Sequence, residues 1–130
     1  MKFLIIIPTH NEEENVLLTL NSLKSQGFQD FTCVIVNDGS TDRTREMVEG
    51  FIDKKQFQLI NLEKSAHSPG AKVVSTFYKG LSSQNLDDFD VICKFDADII
   101  FPENYLEEIN RIYEENPRAG MVSGLVYIKK

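Results

Sequence analysis

The chain has 130 residues, about one domain's worth. Hydrophobic residues make up 42% and charged residues 26%, which excludes a disordered chain, a collagen-like repeat and a disulfide-stapled miniprotein. With 14 basic and 20 acidic side chains the net charge is −6, so no nucleic-acid partner is expected, and a phosphorylated ligand would require a recruited cation.

Phe3 to Ile7 is a continuous apolar run, as in a strand buried on both faces. Pro8 ends it too early for a signal-peptide core or a membrane span. Asn11 is expected to open the first helix, with Glu14 as its capping-box carboxylate and Gly27 at its close. Val16, Leu17, Leu20 and Leu23 form its apolar stripe. Phe31 to Val36 reads as a second strand. Ser40 or Thr41 caps a second helix carrying Met47, Val48, Phe51 and Ile52 on one face. Phe57 to Leu62 is a third strand.

Ser68-Pro69 begins a third helix, with Ala71, Val74, Phe77 or Tyr78, and Leu81 inward. The polar stretch from Ser82 to Asp88 reads as a loop, and Val91 to Phe95 as a fourth strand. Pro102 starts a fourth helix with Leu106, Ile109, Ile112 and Tyr113 inward, and Asn116-Pro117 stops it. Gly120 to Ile128 reads as a fifth strand. Cys33 and Cys93 lie in apolar runs and are read as buried, reduced thiols of a cytoplasmic protein.

Alternating strands and helices with short loops predict an α/β, three-layer Rossmann-like fold with a mainly parallel sheet flanked by helices. Such sheets bind ligands outside the carboxyl ends of their strands. Three clusters fall on that edge: Pro8-Thr9-His10-Asn11-Glu12, Asn37-Asp38-Gly39-Ser40-Thr41-Asp42 and Asp96-Ala97-Asp98. Each has a bland reading as turn or helix-cap chemistry. Each also has a functional one. Asp96 and Asp98 offer hard oxygens suited to Mg²⁺ or Mn²⁺ completed by substrate phosphates, given a turn at Ala97. Asp38 can accept hydrogen bonds from a ligand beside Gly39. Glu12 is either a first-turn carboxylate or a ligand contact. Neither His10 nor His67 is assigned as a base.

These motifs together resemble the nucleotide-binding half of family 2 glycosyltransferases, which have the GT-A fold. The residues that carry the resemblance are Ile5 to Glu12, Val36 to Thr44 and Lys94 to Asp98, in family order and spacing. The resemblance implies that Pro8, Thr9 and Glu12 line a nucleoside pocket, with Glu12 near the ribose. It implies that Asp38 bonds the imide nitrogen of a uracil base, that Asp96 contacts ribose or diphosphate, and that Asp98, with Asp96, holds the metal. Around the third helix the chain departs from the family pattern, with Tyr78 where Asn is usual. There Lys72 is either a nucleotide contact or a solvated helix lysine.

The resemblance further implies a transferase moving a sugar, with inversion, from a nucleotide-sugar donor to a lipid-carrier, polysaccharide or protein acceptor. Cell-wall or polysaccharide biosynthesis is the expected setting, in the cytoplasm or at the inner face of a membrane. In the family the acceptor site and general base lie beyond the fifth strand. The general base is therefore expected beyond Lys130, and residues 1–130 read as a single donor-binding domain, incomplete at its C-terminus. A non-catalytic nucleotide-sugar binding module is the alternative, and association into a homo-oligomer is left open. A haloacid-dehalogenase-type phosphatase fits less well, because its Asp-x-Asp follows the first strand. A nucleotidyltransferase or dinucleotide-binding domain would need a glycine-rich first loop, which Thr9-His10-Asn11-Glu12 is not.

Overall fold

A computed structural model describes residues 1–62, 69–115 and 126–128, with side chains described over 1–62 and 75–115. The elements are β1 (Phe3–Thr9), α1 (Val16–Lys24), β2 (Phe31–Asp38), α2 (Thr44–Phe51), β3 (Phe57–Leu62), α3 (Pro69–Ser82), β4 (Val91–Lys94), α4 (Tyr105–Glu115) and β5 (Val126–Ile128). The sheet order is β3-β2-β1-β4-β5. β1, β2, β3 and β4 run parallel, and β5 joins β4 antiparallel at the edge.

Strand alternation divides the core into two layers. Phe3, Ile5 and Ile7 of β1 face α1, α2 and α4, together with Cys33, Ile35, Val91 and Cys93. Leu4, Ile6, Val34 and Val36 face the opposite way, against Phe77 and Leu81 of α3. A strand covered on both faces has no side left for polar residues, which is why β1 reads as an unbroken apolar run. The chain therefore has the expected α/β three-layer, mainly parallel architecture. β1 leads to β2 on one side, and the chain later returns to place β4 on the other. The switch point lies between β1 and β4, where open α/β sheets form their ligand crevice.

Three helices start later than expected. Asn11 does not open α1: it adopts a left-handed φ of 51°, which asparagine tolerates better than most residues. A turn follows, in which the amides of Asn15 and Val16 bond the Glu12 carbonyl, so the Asn11–Glu14 capping box does not form. α1 ends at Lys24 rather than running to Gly27. Neither Ser40 nor Thr41 caps α2, which starts at Thr44 with the Asp42 carboxylate accepting from the Thr44 amide at 2.9 Å. Pro102 precedes α4 by a turn. β2 extends through Asn37 and Asp38, and β4 stops at Lys94. The polar stretch after α3 contains a 3₁₀ turn at Leu86–Asp88. The expected side chains of Ala71 and Val74, the Asn116-Pro117 stop and the first part of the fifth strand lie outside the described residues. Lys130, beyond which the general base is expected, lies outside them too.

Cys33 and Cys93 both pair in register with Ile5, one on each side. Two strand spacings, about 10 Å, exceed what a disulfide can bridge. Burial, with a smaller contribution from Cys93 at Cys33, pushes both thiols far up and leaves them protonated.

Candidate functional site

The carboxyl ends of β2, β1 and β4 lie side by side, so their following loops share one edge of the sheet. Asp38 is the last residue of β2, opposite Leu62 of β3, and is only 8% exposed. Gly39 follows with a φ of 58°, a conformation that favours glycine, and its amide bonds the Leu62 carbonyl. Asp96 and Asp98 leave the sheet two strand spacings away, about 10 Å along the edge. The expected turn is present there: both aspartates are solvent-exposed, while Ala97 between them is buried.

Two of these loops are stapled to each other. The His10 Nδ1–H donates to the Asp38 carbonyl at 2.7 Å, since a carbonyl can only accept. The Asn11 amide donates to Ser40 Oγ, and Asn11 Oδ1 accepts from the Thr41 amide. The Glu12 amide donates to Thr44 Oγ1 at 2.9 Å, and the Glu13 amide to Asp42 at 3.3 Å. The fully buried Thr44 hydroxyl donates in turn to Asp42. Below them, Ser40 Oγ donates to Asn37 Oδ1, and Asn37 Nδ2 donates to Asn61 of β3. Each residue from His10 to Glu13 is thus tied to the 38–44 segment.

The turn-and-cap reading of the second motif is therefore realised by most of its residues. Asn37, Ser40, Thr41, Asp42 and Thr44 build the loop. The Asp38 side chain stands where that loop meets the edge. Asn11, Asn61 and Thr44 carry no local sign of this supporting role. Nothing in spacing alone pairs residues so far apart, although Asn and Thr are common choices for local backbone bonding.

The remaining candidates differ in exposure. Thr9 is 3% exposed, and its hydroxyl donates back to the Ile7 carbonyl, so it shapes the edge rather than offering a free proton. Pro8 sits half-buried in β1, opposite Val36. Glu12 is half-buried, with its carboxylate 3.4 Å from Asn15 Nδ2. The Lys72 side chain lies outside the described residues. Lys94, at the end of β4, places its Nζ 4.0 Å from Asp96 Oδ1. Its side chain is 16% exposed against 61% for Asp96. A pair so exposed on one side is worth little to stability.

Among the described residues no group of three or more His, Cys, Asp or Glu side chains forms a metal cage. Asp96 and Asp98 nevertheless fit the donor chemistry of Mg²⁺ or Mn²⁺ held by one or two carboxylates and completed by a diphosphate.

Partial burial raises the Asp42 carboxyl, but hydrogen bonds from Thr44 and Glu13 outweigh it, and the net shift is downward. A depressed folded pKa contributes stability above the ordinary carboxylate range, and that contribution is lost as pH falls through the folded value. Asp42→Ala is expected to cost about 1 kcal/mol at neutral pH, as for a lost helix cap. The difference from the unaltered chain should narrow in acid. Urea unfolding at two pH values checks both the size and the sign.

The family model described as "Glycosyl transferase family 2" matches residues 4–130, and the chain belongs to that family. Poly(ribitol-phosphate) beta-N-acetylglucosaminyltransferase TarS of Staphylococcus aureus is 40% identical over 72 residues, covering 54% of this chain and 13% of that protein. Poly-beta-1,6-N-acetyl-D-glucosamine synthase of Staphylococcus epidermidis is 25% identical over 119 residues, covering 92% of this chain and 27% of that protein. The chain thus spans only a minor part of the length of these relatives. Among solved structures, S. aureus TarS 1-349 in complex with UDP-GlcNAc superposes with a TM-score of 0.75 at 28% identity, covering 90% of this chain and 32% of that one. The mannosyltransferase PcManGT from Pyrobaculum calidifontis, in complex with GDP-Man and Mn²⁺, superposes with a TM-score of 0.76 over 92% of this chain and 34% of that one. At 18% identity the latter likeness concerns the fold, the GT-A arrangement of these transferases.

Among the described residues, no helix is long and apolar enough to cross a membrane.

Proposed function

We propose that this chain forms the donor-binding domain of a glycosyltransferase that takes its sugar from a uridine-diphosphate donor. The observation that carries the reading is the placement of buried Asp38 and exposed Asp96 and Asp98 along the one edge that contains the switch point, in a chain related to a transferase solved with UDP-GlcNAc. Asp38 has the burial and position to accept the imide N–H of uracil. Pro8 and Thr9 form the wall beneath the base, and Glu12 reaches the ribose. Asp96 meets the ribose or diphosphate, Lys72 contributes a cation from α3, and Asp98, aided by Asp96, holds Mg²⁺ or Mn²⁺.

A bound divalent ion would neutralise the charge that develops on the departing nucleoside diphosphate. The chain's own part is to orient the donor so that its anomeric carbon faces the acceptor hydroxyl for in-line, inverting attack. The base that takes the hydroxyl proton is assigned to none of these residues. The acceptor is a cell-wall or other surface polysaccharide, in keeping with the relatives, and the reaction is placed in the cytoplasm or at the inner face of a membrane.

Titration calorimetry tests the reading. UDP should bind in the presence of Mn²⁺ and at least about tenfold more weakly without it. Equal affinity under both conditions would remove the metal from the account. No UDP binding under either condition would remove the donor site.

A further inference from the structure

α1 carries a row of polar side chains that the catalytic reading does not use. Thr19 and Ser22 lie one turn apart on one face, and Gln26 continues that face just past the helix end. All three reach across to the segment between β4 and α4. The Thr19 hydroxyl, fully buried, donates to the Ala97 carbonyl at 2.8 Å. Ser22 Oγ accepts the Phe101 amide at 3.0 Å. Gln26, 3% exposed, donates from Nε2 to the Pro102 carbonyl at 2.5 Å and accepts the Leu106 amide at Oε1. The Gly27 amide adds a bond to the Glu103 carbonyl.

The row is directed at one stretch of backbone. Ala97 and Phe101 are both buried and both anchored, and the residues between them, Asp98, Ile99 and Ile100, are exposed. Asp98 is thus carried on a short arch with both feet bonded to α1. An arch clamped in this way needs little ordering when a cation or diphosphate arrives, and that saving appears as affinity.

We propose that Thr19, with Ser22 and Gln26 behind it, is a positioning residue that holds Asp98 at the metal and diphosphate end of the site. The proposal rests on the donor-site reading above. It assigns no contact with substrate to α1. The α1 row sets where the aspartate stands.

The test uses the whole chain, with UDP binding followed as a function of Mn²⁺ concentration and thermal unfolding recorded in parallel. Thr19→Val keeps the shape of the side chain and leaves the Ala97 carbonyl unbonded. The Mn²⁺ concentration that supports half-maximal UDP binding should rise about tenfold, the effect typical of residues that orient a metal ligand. Metal-free UDP binding should stay unchanged, and Thr19→Ser should restore the metal midpoint. Ser22→Ala, at a half-buried position, should act in the same direction and serves if Thr19→Val does not fold. A lowered melting temperature with the Mn²⁺ midpoint within about twofold of the unaltered chain would show a purely structural row and overturn the proposal. Failure of the unaltered chain to bind UDP in a Mn²⁺-dependent way would overturn the donor-site reading, and this proposal with it.

Discussion

Asp98→Ala is expected to abolish the Mn²⁺ dependence of UDP binding, with a loss of affinity in Mn²⁺ equal to what the metal contributes in the unaltered chain, about tenfold or more. Residues that merely orient metal ligands are commonly worth 10–100-fold, and a direct carboxylate ligand should contribute at least as much. Asp98 is exposed, on a turn whose neighbour Ala97 is pinned, so its removal leaves no buried group unbonded and should hardly change stability. Asp38→Asn should behave differently. It alters the group offered to the base rather than to the metal, and should weaken UDP binding by a similar factor with and without Mn²⁺. Equal metal dependence in Asp98→Ala and the unaltered chain would show that Asp98 is a turn former only. Calorimetric titrations of the two variants separate metal recognition from base recognition.

The second large effect concerns packing, where one substitution should have opposite signs at two glycines. In a helix, Gly→Ala ordinarily stabilises by about 0.5–1 kcal/mol through backbone entropy. At Gly50 in α2 an added Cβ meets nothing within 4 Å, so Gly50→Ala should show this gain. At Gly80 in α3 the same atom would stand 2.7 Å from Ile6 Cγ2 and 3.1 Å from Val36 Cγ2. Both are branched side chains on buried central strands and have little room to retreat. Gly80→Ala should therefore destabilise by about 1–3 kcal/mol, the usual effect of overpacking. Combining it with Ile6→Ala should lower the combined cost below the sum of the two single changes, because the clashing methyl is gone. Denaturant unfolding of the set measures the sign at each glycine and the coupling.

What could be read from the chain in advance follows from which forces act locally. The apolar run from Phe3 to Ile7 reads as a doubly covered strand because burial on both faces leaves a contiguous mark. The stripes of α1 and α4 were visible in the same way: Val16, Leu20, Leu23, Leu106, Ile109 and Tyr113 are all buried. Helix starts were misplaced because the capping residues found better partners elsewhere. Asn11 offers its side chain to the Thr41 amide across the loops instead of capping its own helix. Asp42 serves α2 and the Glu13 amide together. Such long-range bonds leave no periodic trace.

That the three clusters share one edge was legible for the same reason as the strands, since parallel strands place all their exits on one side. Within that edge, the sequence could not tell anchoring groups from presented ones. Thr9 carries a hydroxyl suited to a ligand, yet it bonds the carbonyl of Ile7. Thr19 has no mark in the sequence that sets it apart from its helical neighbours, yet it bonds the Ala97 carbonyl 78 residues away. Lys94 reads as one more residue of a strand, and its cationic end is found beside Asp96 only once β4 is folded.

The central claim is that one edge of this sheet receives a nucleoside diphosphate, base toward Asp38 and phosphates toward Asp98. A crystal structure of the chain with UDP and Mn²⁺ tests it most directly. The account predicts uracil against the Asp38 carboxylate and the metal within coordinating distance of Asp98, bridging the diphosphate. UDP bound away from this edge, or metal and diphosphate together on the β3 side of Asp38, would contradict it.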